Sequence, residues 1–255
     1  MLKALAARIH QGHRTVGFPK DRPSLPDRFR GLPVLQEDKC AAGCAACEQS
    51  CPTNAITRHE GSLRLDMGRC LFCTECTQAC STGAVSLSPD YRLSASRRDD
   101  LVLTREPFAL ARALQEKSLR LFGHSLKLRQ VSAGGCNACE ADLNVLTTVV
   151  YDIGRFGIQF VASPRHADGI VVTGPVTTNM RLALEKTYAA VPAPKLVIAV
   201  GACAISGGPY AGHPEAHDGA DSIVPVDLYI PGCPPHPITI LDGLLRILNR
   251  LDGAP

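Results

Sequence analysis

The sequence predicts two domains of different fold class: a small α+β domain, followed by an α/β domain with an open parallel sheet. A cysteine motif occurs twice within residues 34–88, and the segment between its two copies has the pattern of a β-hairpin. From residue 125 onward, short β-rich runs alternate with amphipathic helices, which indicates a parallel sheet covered by helices. A chain of 255 residues, 45% of them hydrophobic, is long enough for two cores.

The N-terminal residues 1–33 are predicted to form an amphipathic helix and an extended connector. Leu2, Leu5 and Ile9 recur at helical spacing, whereas residues 17–33 contain four prolines. Such a helix either packs on its own domain or docks on a membrane-embedded partner or a membrane surface. Both alternatives stay open at this point.

Charge and hydropathy narrow the classes of function. The net charge is +3 and no basic cluster with interleaved aromatic residues is present, so no nucleic-acid partner is expected. No apolar run reaches the length of about 18 residues that a transmembrane helix needs, and the N-terminus lacks a secretory signal pattern. We therefore expect a cytoplasmic protein, in which 12 cysteines favour metal binding over disulfides.

Eight cysteines form two overlapping ligand sets. Their gaps are three, two and three residues in the first motif and two, two and three in the second. In motifs of this type the first three cysteines bind one iron–sulfur cluster and the fourth binds the other. We therefore assign one [4Fe–4S] cluster to Cys40, Cys44, Cys47 and Cys80, and a second to Cys70, Cys73, Cys76 and Cys51. Two zinc sites are a weaker alternative, because zinc usually takes Cys-x-x-Cys pairs separated by a longer loop.

This region resembles the bacterial two-cluster ferredoxin family over residues 34–88. It departs from the family in two places. The gap between Cys40 and Cys44 is one residue longer than usual, and Ser81 stands where the family has a proline after Cys80. The following residues, 89–124, are charged and are predicted to form a helical linker to the second domain, residues 125–255.

The second domain is predicted to contain five strands and three main helices. The strands are predicted over residues 125–131, 157–163, 168–174, 195–201 and 226–232, and the helices over residues 141–153, 177–191 and 237–251. Because parallel strands need crossover helices, this order predicts one open sheet with helices on both faces.

Four further cysteines are dispersed along this domain: Cys136, Cys139, Cys203 and Cys233. Three of them come just after the first, fourth and fifth predicted strands, and the carboxyl ends of parallel strands gather at one edge of a sheet. Neighbouring glycines allow the backbone to approach a bulky cluster. We therefore predict a third cluster site. A thioredoxin-like redox pair at Cys136 and Cys139 is the weaker alternative, since it leaves the other two cysteines without a role.

A family resemblance follows from these motifs. The segments GGCNACEADL, VIAVGACAISGGPY and VDLYIPGCPPHP resemble the small subunit shared by [NiFe]-hydrogenases and respiratory complex I. Within that superfamily the Cys-x-x-Cys-Glu form is similar to hydrogenases, above all formate hydrogenlyase and other energy-converting hydrogenases. The N-terminal half resembles the separate ferredoxin subunit of the same complexes, so the chain looks like a fusion of two subunits.

The resemblance implies a flavodoxin-like α/β domain and three [4Fe–4S] clusters in all. The third cysteine set would hold the cluster that lies nearest to a [NiFe] centre in a partner large subunit. The chain would relay electrons to or from that centre. It would lie on the cytoplasmic face of the inner membrane, in contact with membrane-embedded subunits and an electron donor or acceptor protein.

No catalytic residue is expected in this chain itself, but Glu140 is a candidate for a proton path. The resemblance places an acid here beside the cluster nearest to the large subunit. A carboxylate in the first turn of a helix, stabilised by the helix dipole, is the alternative explanation.

Two other functions stay open. One is a complex I-like or hydrogenase-related module that acts on quinone or another acceptor without nickel. The other is a free-standing ferredoxin-like carrier, which predicts a polar surface around the third site.

Overall fold

The computed structural model describes residues 2–59, 61–122 and 124–251. Its helices and strands are, in chain order, α1 (Leu2–Gln11), β1 (Pro33–Leu35), α2 (Ala46–Gln49), β2 (Ile56–His59), β3 (Ser62–Asp66), α3 (Glu75–Ala79), β4 (Val85–Leu87), β5 (Val102–Leu103), α4 (Glu116–Phe122), β6 (Leu126–Ser132), α5 (Ala138–Val145), β7 (Ile158–Phe160), β8 (Gly169–Thr173), α6 (Thr178–Ala190), β9 (Leu196–Val200), α7 (Ala202–Ser206), β10 (Leu228–Ile230) and α8 (Pro237–Ile247). None of the described helices has the length and apolar character that crossing a bilayer requires.

The N-terminal helix α1 does not pack on the rest of the chain. None of its residues is buried, and Leu2, Leu5 and Ile9 are 84%, 59% and 75% exposed. The connector after it is fixed to the second domain, because the Val16 N–H donates to the Val150 carbonyl at 2.9 Å. The first alternative for this helix, packing on its own domain, is therefore wrong.

The cysteine-rich region is built from two similar halves. In each half a short helix, α2 or α3, is followed by a strand, β2 or β4, and the two helices pack against each other. Strand β1 pairs antiparallel with β4, and β2 forms the predicted hairpin with β3. The sequence places the turn of this hairpin at Glu60 and Gly61, of which Glu60 lies outside the described residues.

The second domain is an open sheet in which, among the described residues, five parallel strands follow the order β10-β9-β8-β6-β7. Every residue of β8 and β9 is buried, because helices cover both faces of the sheet. The predicted order of strands and helices is confirmed. Helix α5 differs from its prediction: it begins three residues earlier, at Ala138, and ends at Val145 because residues 146–149 continue as turns.

The segment between the domains is not the mostly helical linker that its charge pattern predicted. In the part of this segment that the structure describes, residues 89–122 and 124, helix is confined to α4 and one short 3-10 turn, Asp99–Leu101. Strand β5 instead joins the hairpin as the neighbour of β3, so the sheet of the first domain extends beyond residue 88. Tertiary pairing has overridden the local helical pattern here.

The two domains share a hydrophobic core. Leu63, Leu65 and Met67 of the first domain pack in one cluster with Ile205 and Tyr229 of the second. Two reciprocal backbone hydrogen bonds join Ala95 to Tyr229, at 2.9 and 3.0 Å. This packing fixes the cysteine-rich halves against the carboxyl edge of the parallel sheet.

Candidate functional site

The first group of thiols spans the two halves of the duplication. Cys47, on α2, is buried, and its pKa is raised by burial and then by the nearby thiolate charges of Cys40 and Cys80. Cys40 and Cys44 line one open cavity beside the longer loop. The structure thus brings Cys80, from the second half, to the cysteines of the first half.

The second group of thiols surrounds a single cavity. Cys51 comes from the first half and lines this cavity together with Cys70, Cys73 and Cys76 of the second. Burial raises the pKa of Cys70 to about 12 and that of Cys76 to about 11, and the neighbouring thiolates add to both shifts. The fourth cysteine of each half therefore faces the three cysteines of the other half.

The third group of thiols lies at the carboxyl edge of the parallel sheet. Cys136 follows β6, Cys139 lies on α5, Cys203 lies on α7 and Cys233 follows β10. Burial raises the pKa of Cys139 strongly, and the charges of the other three thiolates act in the same direction. Cys136 and Cys233 are exposed, so this group lies at the surface of the chain.

The three groups are arranged in series. Helix α2 carries Cys47 of the first group and packs against α3, which carries Cys76 of the second. Leu71 and Phe72 line both the cavity of the second group and the cavity that contains Cys233 of the third. The second group therefore lies between the other two. This order depends on the packing of one domain against the other.

Backbone donors and a close-fitting glycine surround several of these sulfurs, an environment that is compatible with thiolate ligands. The N–H groups of Ala55 and Ala84 donate to Cys51 Sγ and Cys80 Sγ, both at 3.2 Å, and such bonds stabilise a ligated thiolate. A Cβ at Gly201 would lie 2.5 Å from Cys139 Sγ, so only glycine leaves room for that thiol. No described cysteine forms a disulfide.

Among the described residues, a positive side chain contacts a cysteine of the first group directly. Arg58, on β2, donates from Nη2 to Cys40 Sγ at 3.0 Å and to the Cys44 carbonyl at 2.7 Å. Sequence analysis did not identify Arg58. The signal that would have found it is the alignment of the two halves, which places a single arginine beside only one of the two ligand sets.

Glu140 lies at the third group, in the first turn of α5, and is only 5% exposed. Its Oε1 accepts hydrogen bonds from Ser132 Oγ at 2.6 Å and from Thr173 Oγ1 at 2.7 Å, two hydroxyls at the ends of β6 and β8. The helix N-terminus and these two donors together account for a buried acid at this position.

Each half of the chain matches a known protein family. Residues 136–247 match the family described as NADH ubiquinone oxidoreductase, 20 Kd subunit, and residues 30–84 match the 4Fe-4S dicluster domain.

Individual relatives match about half of the chain. The Pyrococcus furiosus protein named "Probable membrane-bound hydrogenase subunit mbhJ" is 41% identical over 132 residues, 52% of this chain and 79% of that protein. Formate hydrogenlyase subunit 7 of Escherichia coli is 40% identical over 55% of this chain and 55% of that protein. An NADH-quinone oxidoreductase subunit of Clostridium beijerinckii is 43% identical over 46% of this chain and 70% of that protein.

The fold and the cysteine-rich site define an iron–sulfur, electron-transfer subunit of an oxidoreductase. More particularly, the chain belongs to the 20 kDa subunit family of NADH ubiquinone oxidoreductase, to which its N-terminal half adds a 4Fe-4S dicluster domain. The predicted fold classes and the predicted resemblance are confirmed.

Proposed function

We propose that the chain holds three [4Fe–4S] clusters in a row and relays electrons between a donor protein and a catalytic partner subunit. The observation that carries this proposal is the serial order of the three thiol groups, with the second group between the other two. When bound, each cluster supplies one-electron redox chemistry. The ligand sets would be those predicted from the spacing of the cysteines.

The chain's own part is to assemble the ligands and to shield them from water. The cavity of the second group is lined by Ile56, Leu65 and Phe72, so this site is the most enclosed by apolar side chains. The exposed Cys136 and Cys233 lie where a partner subunit would cover the third site. A free-standing carrier would leave these two ligands open to solvent.

The catalytic partner is proposed to be a [NiFe]-hydrogenase-type large subunit, placed at the third site. The similarity to membrane-bound hydrogenase and formate hydrogenlyase subunits supports this partner. In such a complex, Glu140 is positioned to take up or release a proton beside the site nearest to the catalytic centre. Its two hydroxyl donors, Ser132 and Thr173, hold the carboxylate in place.

The chain is proposed to sit peripherally on the cytoplasmic face of the inner membrane, against membrane-embedded subunits. Helix α1 supports this location, since its apolar side chains are exposed and it carries Lys3, Arg8 and His10 with no acidic residue. A basic amphipathic helix of this kind suits a membrane boundary with anionic headgroups.

A second candidate is a complex I-like module that passes electrons to quinone or another acceptor without nickel. The 43% identity to an NADH-quinone oxidoreductase subunit favours it. The two candidates differ in the partner: a large subunit with two Cys-x-x-Cys pairs binds nickel, and one that lacks these pairs belongs to the second candidate.

Anaerobic purification of the full chain with its co-purifying partners tests the proposal. We expect about 12 iron atoms per chain, low-temperature EPR signals of reduced [4Fe–4S] clusters and a bound large subunit that contains nickel. A chain loaded with zinc instead would overturn the cluster assignment. A chain with its full iron complement, bound to a partner that contains no nickel, would favour the second candidate.

A further inference from the structure

The two halves of the cysteine-rich region can be aligned in sequence, residue by residue, after their fourth cysteines. Cys51 corresponds to Cys80, and Ala55 corresponds to Ala84, whose N–H groups donate to those two cysteines at the same distance of 3.2 Å. Three residues after Ala55 and Ala84, the two corresponding residues differ in charge. Arg58 on β2 stands where Leu87 stands on β4.

These two side chains border different ligand sets. Arg58 lines the cavity of Cys40 and Cys44, whereas Leu87 lines the cavity of Cys51, Cys70, Cys73 and Cys76. Both side chains occupy the same position after the fourth cysteine of their half, whereas the loop between the first two cysteines is one residue longer in the first motif. One site has a guanidinium against a thiolate, and the other has an apolar side chain.

The guanidinium of Arg58 is held in place by several acceptors. Besides Cys40 Sγ at 3.0 Å and the Cys44 carbonyl at 2.7 Å, it donates to the Gly61 carbonyl at 3.4 Å. The contact with the Cys44 carbonyl closes the longer loop between Cys40 and Cys44. The first motif thus has both an extra residue and an arginine that contacts it. The second motif has neither, because the position equivalent to Arg58 is Leu87.

We propose that Arg58 is a positioning residue that sets a higher reduction potential for the first cluster than for the second. The inference rests on the proposed function, since it concerns clusters bound at these cysteines. Reduction adds one negative charge to a cluster, and a fixed positive charge at a ligand thiolate stabilises the reduced form. An apolar neighbour such as Leu87 gives the second cluster no such stabilisation.

The consequence is a direction within the relay. When the chain holds a single electron in its cysteine-rich half, that electron resides on the first cluster, which lies farthest from the third site. Transfer of that electron inward to the second cluster would be thermodynamically uphill, so at equilibrium the outer end of the chain would hold the electron most of the time.

A potentiometric titration of the full, anaerobically loaded chain, followed by EPR, tests this proposal. We expect Arg58→Met to lower the midpoint of one cluster, changing its ratio of reduced to oxidised form at a fixed potential by about tenfold, or about 59 mV. Arg58→Lys keeps the charge and is expected to retain most of the wild-type midpoint. Leu87→Arg is expected to raise the midpoint of the other cluster.

Arg64→Met is the matched control, because Arg64 lies in the same hairpin and contacts His59 instead of a cysteine. We expect it to leave all midpoints unchanged. Equal shifts in Arg58→Met and Arg64→Met would overturn the proposal, since they would reflect net charge alone.

Two further outcomes are decisive. If Arg58→Met fails to bind the first cluster, the Leu87→Arg variant tests the proposal instead. An unchanged midpoint of the second cluster in Leu87→Arg would then overturn the proposal. A loaded chain whose midpoints are unchanged by both Arg58→Met and Leu87→Arg rejects this inference and leaves the proposed function intact. A wild-type chain that binds no iron rejects both.

Discussion

At the scale of single residues, the third thiol group depends on a glycine, Gly201, because a larger residue there would collide with Cys139. Gly201 has φ of +90° and lies so close to Cys139 that a Cβ would stand 2.5 Å from its sulfur. A contact this short forces the thiol or the backbone to move. The position of Cys139 is therefore set by the glycine that follows β9 as well as by its own helix.

We predict that Gly201→Ala removes the third cluster and keeps the other two. The iron content is expected to fall by about one third, because one of three four-iron clusters is lost. Iron analysis and EPR of the purified variant measure this loss.

Gly212→Ala is the control for backbone strain. Gly212 also has a positive φ, +77°, yet a Cβ added there would have no neighbouring atom within 4 Å. Gly212→Ala measures the cost of alanine at a positive φ alone, about 1–2 kcal/mol. Gly201 has φ of +90° and ψ of 155°, a region that is essentially restricted to glycine, so Gly201→Ala carries a larger strain and in addition contacts Cys139. A Gly201→Ala chain with a full iron complement would contradict the prediction.

The second residue-scale prediction concerns Glu140. We expect Glu140→Gln to retain its iron, because the remaining amide oxygen still accepts from Ser132 and Thr173. Proton-coupled turnover of the assembled complex is expected to fall by about 100-fold or more, the typical effect of removing a proton-transfer group. The rate of hydrogen evolution reports proton-coupled turnover, whereas the rate of electron transfer to a dye reports electron transfer alone. Equal rates of hydrogen evolution in wild type and variant would exclude a proton role for Glu140.

At the scale of elements, the sequence predicted most of the strands and helices, because hydrophobic periodicity and chain topology determine them. The five parallel strands and the β2–β3 hairpin follow from short apolar runs bounded by turns. The cysteines were grouped from their spacing, because short helices α2 and α3 fix where each fourth cysteine points. That iron binds in these groups stays a prediction.

The features that sequence analysis missed depend on contacts between distant segments. Strand β5 has two residues and exists because it pairs with β3, which no local pattern shows. Similarly, the contact of Arg58 with Cys40 joins residues 18 positions apart across a loop. The serial order of the thiol groups depends on how the two domains pack, a quantity that motif spacing does not contain.

The N-terminal helix carries the element-scale prediction. We expect Leu5→Gln combined with Ile9→Gln to weaken binding of the full chain to anionic vesicles by tenfold or more. Each buried Leu or Ile contributes about 1.5–3 kcal/mol to such binding. Both side chains are exposed in this chain, so the fold is expected to stay unchanged. Vesicle co-sedimentation measures the affinity.

Leu182→Gln is the matched control for this experiment. Leu182 lies on α6 and is 58% exposed, similar to the 59% of Leu5. Equal vesicle binding by the double variant and by wild type would show that α1 docks on a protein surface instead of on lipid.

At the scale of the whole molecule, the two domains differ in what holds them together. The second domain has a continuous core in which Leu128, Val171 and Ile198 of adjacent strands are buried. The first domain has helices of four and five residues, far shorter than the length at which helices are stable alone. Its halves are held by the shared packing against Ile205 and Tyr229 and, on our proposal, by the clusters.

We therefore predict that removal of iron by a chelator unfolds residues 34–88 and leaves the parallel sheet folded. Binding of a metal group assembled only by folding contributes directly to the stability of the fold. Hydrogen–deuterium exchange of the full chain, read by mass spectrometry, is expected to show fast exchange in β2, β3, α2 and α3 after chelation. The amides of β8 and β9, buried throughout, should exchange as slowly as before. Slow exchange across both regions in the iron-free chain would show that the shared core suffices, and fast exchange in both would show that the domains fold as a single unit.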